Sequence, residues 1–122
     1  MRDHLSATFS ALADPTRRAI LARLANGEAN VSDLAKPFSK ELSLPAVTKH
    51  LRVLENAGLI QKTKTAQWRT CSISVAPLKE ASGWIDQYRQ IWEEQLDRLG
   101  EYLKEVQAEK KKKGKSHASK TK

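Results

Sequence analysis

The sequence predicts a mainly helical domain that carries one small β-hairpin and ends in a long helix. Three observations predict it. Apolar residues recur at intervals of three and four through residues 4–56, with capping residues at the breaks. After Gly58 the period changes to a partial alternation rich in Ile, Thr and Val over residues 59–76. A near-heptad repeat then runs from Ile85 to Val106.

Each element follows in order. In "HLSATFSAL", residues 4–12, Leu5, Phe9 and Leu12 share one helix face. Asp14 and Pro15 read as a cap and a first-turn proline opening a second helix, which buries Ile20, Leu21 and Leu24 and closes at Gly27. Ser32 is expected to cap a short third helix, "DLAKPF", limited by Pro37. Ser43 caps a fourth, with Pro45 in its first turn and Gly58 at its stop, and Leu44, Val47, Leu51 and Leu54 form its buried stripe. The third and fourth helices make a helix-turn-helix. "LIQKTKT" and "TCSISVA" are expected to pair as antiparallel strands through "AQWR". One helix is then expected from Pro77 to about residue 109, with Gly83 as a candidate kink. Its seam is Ile85, Tyr88, Trp92, Leu96, Leu99, Leu103 and Val106, and at about 1.5 Å per residue it would reach roughly 50 Å, more than a small domain needs for its own core. A partner helix is implied.

At 122 residues the chain holds one ordinary domain, expected over residues 1–109, and "KKKKGKSHASKTK", residues 110–122, is expected to be a basic disordered tail. No long apolar run or secretory pattern is present, so no membrane partner is expected and a cytoplasmic location is. Cys71 is the one cysteine, which leaves no internal disulfide within a protomer.

Charge is segregated. Residues 110–122 hold seven lysines and no acid, while the rest holds 15 Lys/Arg against 14 Asp/Glu. Within that rest, residues 36–69 hold seven Lys/Arg against two acids, a net of +5, and residues 70–109 hold four against eight, a net of −4. One face is thus suited to a polyanion and another is kept from it.

Two helices, a helix-turn-helix, a basic hairpin and a long terminal helix form the order of a winged helix with an added dimerisation helix. With "ALADPTRRAILARLA", "SLPAVTKHLRVLENAGLI" and "QWRTCSI" in that order and spacing, residues 5 to about 105 resemble the ArsR family of bacterial transcriptional repressors. The resemblance implies a homodimer that binds a double-stranded operator, with the first and last helices at its interface: Leu5, Phe9 and Leu12 with Tyr88, Trp92, Leu96, Leu99 and Leu103.

A recognition helix buries one side and turns the other toward base edges and phosphates. With Val47, Leu51 and Leu54 inward, Pro45, Ala46, Thr48, Lys49 and Arg52 are expected outward, and the family pattern assigns Ser43, Pro45, Ala46, Thr48 and Lys49 to the major groove. Lys62, Lys64, Gln67 and Arg69 would flank that groove or enter a minor groove. His50, at the edge of the buried stripe, reads as a hydrogen-bonded structural histidine or a base reader. Trp68 stacks on DNA or packs at the base of the wing.

Metal sensors of this family use a Cys-x-Cys in the third helix or paired His and carboxylates in the last. "NVSDLAKPF" has no cysteine, and residues 77–109 have no histidine, so no metal and no cofactor are expected. Cys71 reads as a small hydrophobe or as a redox switch near Arg69. Trp84, Tyr88 and Trp92 read as dimer core or as the lining of a small-molecule cavity. No enzyme constellation is found, and no catalysis is expected. The alternative function is an architectural, nucleoid-type protein, in which a dimeric winged helix and the lysine tail bind phosphates with little sequence preference.

Overall fold

A computed structural model describes residues 3–65 and 67–120. In chain order the elements are α1 (His4–Leu12), α2 (Pro15–Leu24), β1 (Ala29–Asn30), α3 (Val31–Ala35), a 3₁₀ turn (Lys36–Phe38), α4 (Leu44–Asn56), β2 (Ile60–Thr65), β3 (Trp68–Ile73), α5 (Ala76–Asp86) and α6 (Arg89–Lys120). The fold is a mainly helical winged helix-turn-helix with a small antiparallel sheet of order β1-β3-β2. Two compact units divide it, Met1–Gly83 and Trp84–Lys122.

The first four helices start alike. Asp3, Asp14, Asn30 and Ser43 are each extended, and each side-chain oxygen accepts from the amide three residues on. One of four orphan amides is thereby satisfied at each start. The cap of α3 corrects the expectation of Ser32: Asn30 Oδ1 accepts from the Asp33 amide at 2.8 Å, so the helix begins earlier. Pro37 falls in the 3₁₀ turn rather than in a helix interior, as its missing N–H requires.

The core of the first unit gathers Ile20, Leu21 and Leu24 from α2, Leu34 from α3, Val47, Leu51 and Leu54 from α4, and Leu59, Ile60 and Cys71 from the sheet. Each buried leucine or isoleucine contributes about 1.5–3 kcal/mol. From α1 the buried residues are Thr8 and Ala11, and Thr8 donates its hydroxyl hydrogen to the His4 carbonyl at 2.9 Å. Leu44, expected in the buried stripe of α4, is 55% exposed. It is the first residue of its helix and projects past the end of the core that holds Val47.

Gly58 ends α4 with φ at +78°. Its amide donates to the Glu55 carbonyl at 2.9 Å, and the Leu59 amide donates to that of Leu54 at 2.9 Å. This is a Schellman motif, and its two leucines are fully buried. It turns the chain directly into β2.

β2 and β3 pair from Ile60 with Ile73 to Thr65 with Trp68, so β3 begins two residues earlier than the expected Thr70. β1, not foreseen, adds Ala29 opposite Cys71 and Asn30 opposite Thr70. The second unit also differs from expectation. The last helix is interrupted at Gln87 and Tyr88, whose amides donate to the Trp84 and Ile85 carbonyls at 3.2 and 2.9 Å, a tightening to i→i+3 bonds. Gly83 stays inside α5. Arg89 bridges the interruption, 3.4 Å from Asp86 and 3.6 Å from Glu93. The backbone of α6 continues as helix to Lys120, where the composition predicted disorder from Lys110. Thr121 and Lys122 lie outside the described residues.

The polar node that fixes α4 lies where α1 meets α2. The last carbonyls of α1 are short of helical partners, and that of Ser10 accepts from the cap amide of Ala13 at 3.2 Å. Arg17 donates Nε to the Ala11 carbonyl at 2.7 Å and a terminal nitrogen to that of Ser10 at 3.0 Å, while Arg18 donates to that of Leu12 at 2.7 Å. The other terminal nitrogen of Arg17 lies 3.3 Å from Nδ1 of His50 on α4. Since guanidinium only donates, Nδ1 accepts in the tautomer with its hydrogen on Nε2. Asp14 completes the node, accepting from the Arg17 amide at 3.0 Å and lying 3.9 Å from the same His50 nitrogen.

Two outcomes are expected. Gly58→Ala forces a Cβ into left-handed geometry and should lower stability by about 1–2 kcal/mol, read as a lower urea midpoint with an unchanged slope. The Arg17 amide bond, opposed by partial burial and aided by the nearby His50 and Arg17, holds the Asp14 carboxyl below its ordinary value of 3.8. With the folded state binding that proton less readily than the unfolded one, the contribution of Asp14 is complete above about pH 4 and is lost as the pH falls through the depressed value. Asparagine caps as well but does not titrate. Acid unfolding should therefore cost the wild type more stability than Asp14→Asn as the pH falls below about 4; parallel curves would remove Asp14 from the acid sensitivity.

Candidate nucleic-acid interface

α4 presents its outer side through the same geometry that buries its inner one. Ser43 Oγ accepts from the Ala46 amide at 3.3 Å, and Pro45 sits in the first turn, where its missing N–H costs nothing. With Val47, Leu51 and Leu54 inward, Pro45, Lys49, Arg52 and Asn56 follow at intervals of four, three and four, all exposed. Leu44, Pro45, Thr48, Lys49 and Arg52 line one shallow concavity of about 470 Å³. Four side chains expected to face outward, Pro45, Thr48, Lys49 and Arg52, thus share one surface with Leu44, which was expected to be buried. Neither Lys49 nor Arg52 has an ion-pair partner among the described residues.

Other residues stand differently from the sequence expectation. Ala46 is half-buried beside its cap. Thr48 is half-buried and donates its hydroxyl hydrogen to the Leu44 carbonyl at 3.0 Å, so it keeps only an acceptor and a methyl to offer. His50 is turned into the Arg17–Asp14 node, which favours its structural reading over base reading.

The hairpin divides its cations. Lys62 is half-buried, 3.9 Å from Glu55 of α4, and lies opposite Cys71. Lys64 lies directly opposite Arg69, and both are exposed. A like-charged cross-strand pair weakens a hairpin by a few tenths of a kcal/mol to about 1 kcal/mol. Gln67 is exposed near the turn. Trp68, 61% exposed, lines a concavity of about 230 Å³ with Asn30, Val31, Ser32, Gln67 and Arg69, beside the start of α3.

Cys71 is fully buried, and burial pushes its thiol up, against the pull of Lys62. A raised thiol is a poor source of thiolate, which favours the small-hydrophobe reading over a redox switch. Among the described residues no three His, Cys, Asp or Glu side chains are gathered to hold a metal ion. No helix of the described residues is long and apolar enough to cross a membrane.

The surfaces expected to pair two copies are mostly open. Of α1, Leu5 is half-buried and Phe9 exposed, whereas Leu12 packs on its own core. In the second unit Tyr88, Trp92, Leu96, Leu99 and Leu103 are all exposed, Leu96 to 61%. Trp84 meets Tyr88 edge to face, with ring centroids 5.2 Å apart.

Sequence reasoning overlooked Arg17 and Arg18, although two arginines just after a helix end, within reach of its orphan carbonyls, were a signal. It also overlooked the outward position of Leu44, for which apolar spacing gives no warning.

Comparison with known proteins agrees with this arrangement. A family described as "Helix-turn-helix domain" matches residues 12–63, from the node through α4 into β2. The transcriptional repressor SdpR of Bacillus subtilis is 32% identical over 77 residues, which span 63% of this chain and 83% of that protein. Among solved structures, the ArsR family transcriptional regulator RHA00566 is 44% identical, with a TM-score of 0.69 over 75% of this chain and 98% of that one. The homodimeric winged helix-turn-helix domain of Mb0332 from Mycobacterium bovis, 22% identical, shares the fold with a TM-score of 0.55 over 79% of this chain and 84% of that one. By sequence, by fold and by the residues that build its helix-turn-helix, this chain belongs to the ArsR family of winged helix-turn-helix transcriptional regulators.

Proposed function

We propose that the protein is a homodimeric repressor that binds an inverted-repeat DNA operator. The observation that carries this reading is the outer face of α4: a tightly packed helix presents Lys49 and Arg52, neither with an ion-pair partner among the described residues, on a concave surface with Leu44, Pro45 and Thr48. Ser43 and Ala46, at the helix start, lie where amides and a hydroxyl meet phosphate. Lys64, Gln67 and Arg69 contact the flanking backbone or the minor groove, and the repulsion between Lys64 and Arg69 is relieved by a phosphate between them. His50 acts on this surface by fixing α4, and Lys62 by its bond to the body of the domain.

Repression is supported by the likeness to SdpR, a transcriptional repressor, and the homodimer by the likeness to Mb0332, whose domain is homodimeric. The proposed dimer contacts are Leu5 and Phe9 of α1 with Tyr88, Trp92, Leu96, Leu99 and Leu103. Two copies would set their recognition helices about 34 Å apart, one turn of duplex or a multiple of it between half-site centres.

Fluorescence anisotropy on a site selected from random duplexes tests the reading. Lys49→Ala should cost about 1–3 kcal/mol at that site and relax preference at one base. Lys64→Ala should weaken all duplexes alike and reduce the salt slope by about one. Equal affinity for selected and scrambled DNA would favour architectural binding instead, all the more if removing residues 110–122 abolished it. Leu99→Asp places a charge in the proposed seam and should convert the dimer to a monomer in sedimentation, with a large loss of operator affinity. A wild type that sediments as a monomer would overturn the dimer.

A further inference from the structure

The α4 surface carries a restricted chemical vocabulary. Base pairs are told apart in the major groove by matched groups: Asn or Gln for adenine, Asp or Glu for cytosine, Arg or Lys for guanine, and an apolar contact for the thymine methyl. The concavity on α4 is lined by Leu44, Pro45, Thr48, Lys49 and Arg52. None of the five is an amide or a carboxylate. Its donors are Lys49 and Arg52, because the hydroxyl hydrogen of Thr48 is bonded to the Leu44 carbonyl at 3.0 Å. What remains toward the helix start is apolar: the Leu44 side chain, the Pro45 ring and the Thr48 methyl. Leu44 also lines the neighbouring hollow of about 420 Å³ between α3 and α4, with Ser32, Lys36 and Leu42, so it forms a ridge between two depressions. At 55% exposure it adds nothing of note to the core, whose α4 stripe is Val47, Leu51 and Leu54.

Resting on the operator reading above, we propose that the Leu44 ridge reads the C5-methyl group of thymine in each half-site, while Lys49 and Arg52 read guanine. Pro45 and Thr48 flank the methyl and exclude water from it. Leu44 and Lys49 are five residues apart, about 7.5 Å along the helix, which matches about two base-pair steps. The thymine read by Leu44 and the guanine read by Lys49 therefore lie within about two steps of one another, and the guanine of Arg52, about 12 Å along the helix from Leu44, lies farther out. Adenine opposite that thymine is specified without any contact of its own.

The test needs no change in the protein at first. Each thymine of the selected duplex is replaced singly by deoxyuridine, which keeps Watson–Crick pairing and lacks only the methyl. At one or two thymines per half-site the affinity of the full-length wild type should fall about four-fold, the worth of one buried carbon group. Leu44→Ala should bind the thymine and deoxyuridine duplexes equally, whereas Lys49→Ala should keep the discrimination and lose preference for guanine. Leu44 is exposed, so the alanine variant should melt with the wild type. A selected site tolerant of deoxyuridine at every thymine would overturn this inference alone, as would a Leu44→Ala protein that still discriminates. Equal wild-type affinity for selected and scrambled duplexes would overturn the operator reading, and this inference with it.

Discussion

Arg17 ties three helices together with one planar group. The apolar stripe of α4 fixes how deeply that helix sits, but apolar contact is non-directional and tolerates a small roll or slide. A surface that reads base edges cannot tolerate one. The guanidinium supplies the missing direction: it holds the Ser10 and Ala11 carbonyls at the end of α1 and meets His50 on α4, while its own backbone amide is held by Asp14. Lysine would bring charge without the fixed fork and could not span these acceptors at once. The Asp-Pro-Thr-Arg-Arg run is thus a joint: Asp14 and Pro15 start α2, and Arg17 and Arg18 finish α1.

The same economy governs charge on the hairpin. Lys62 and Lys64 stand on one face of β2, two residues apart, yet they meet different surroundings. Near the domain body, Lys62 is balanced by Glu55 and covers Cys71. Farther out, Lys64 faces Arg69, and neither has an ion-pair partner among the described residues. On the hairpin, among the described residues, the cation close to the core is paired and the two farther out are not, a distribution suited to a protein that must stay folded alone and still attract a polyanion.

Much of this was legible in the sequence, for local reasons. Helix starts at Asp14 and Ser43, and the stop at Gly58, depend on side chains or backbone freedom within a few residues, so spacing alone reveals them. β1 was not legible, because two residues carry no period and Ala29 and Asn30 pair with a strand far along the chain. Leu44 kept the apolar spacing of α4 but not its burial, because a core ends where its neighbours end and not where the pattern does. The interruption at Gln87 and Tyr88 escaped for a similar reason. Gly83 had the weaker intrinsic propensity, but a lone glycine between good helix formers costs only about 1 kcal/mol, which a continuing helix absorbs. The outward side of α4 was legible as the complement of its buried stripe; which of its residues offers a donor or a methyl was not, because that depends on the Thr48 bond and the His50 node.

The second unit poses a problem that a single copy does not solve. Trp92, Leu96, Leu99 and Leu103 stay open along a helix of 32 residues, with Ile91 and Tyr102 beside them. Contiguous apolar surface of that extent is seldom left in water on a soluble protein. A second copy is the economical cover, because the same seam then meets itself about a two-fold axis and leaves no remainder. In the proposed dimer this symmetry has a consequence for the other unit. One α4 face with the cations Lys49 and Arg52 and a few methyl contacts would support modest affinity, whereas two faces on a common axis would act on one duplex, the second engaging as an intramolecular event. In that proposed dimer the exposed seam and the small α4 surface are two sides of one arrangement, with specificity assigned to α4 and useful affinity to the pairing of α6.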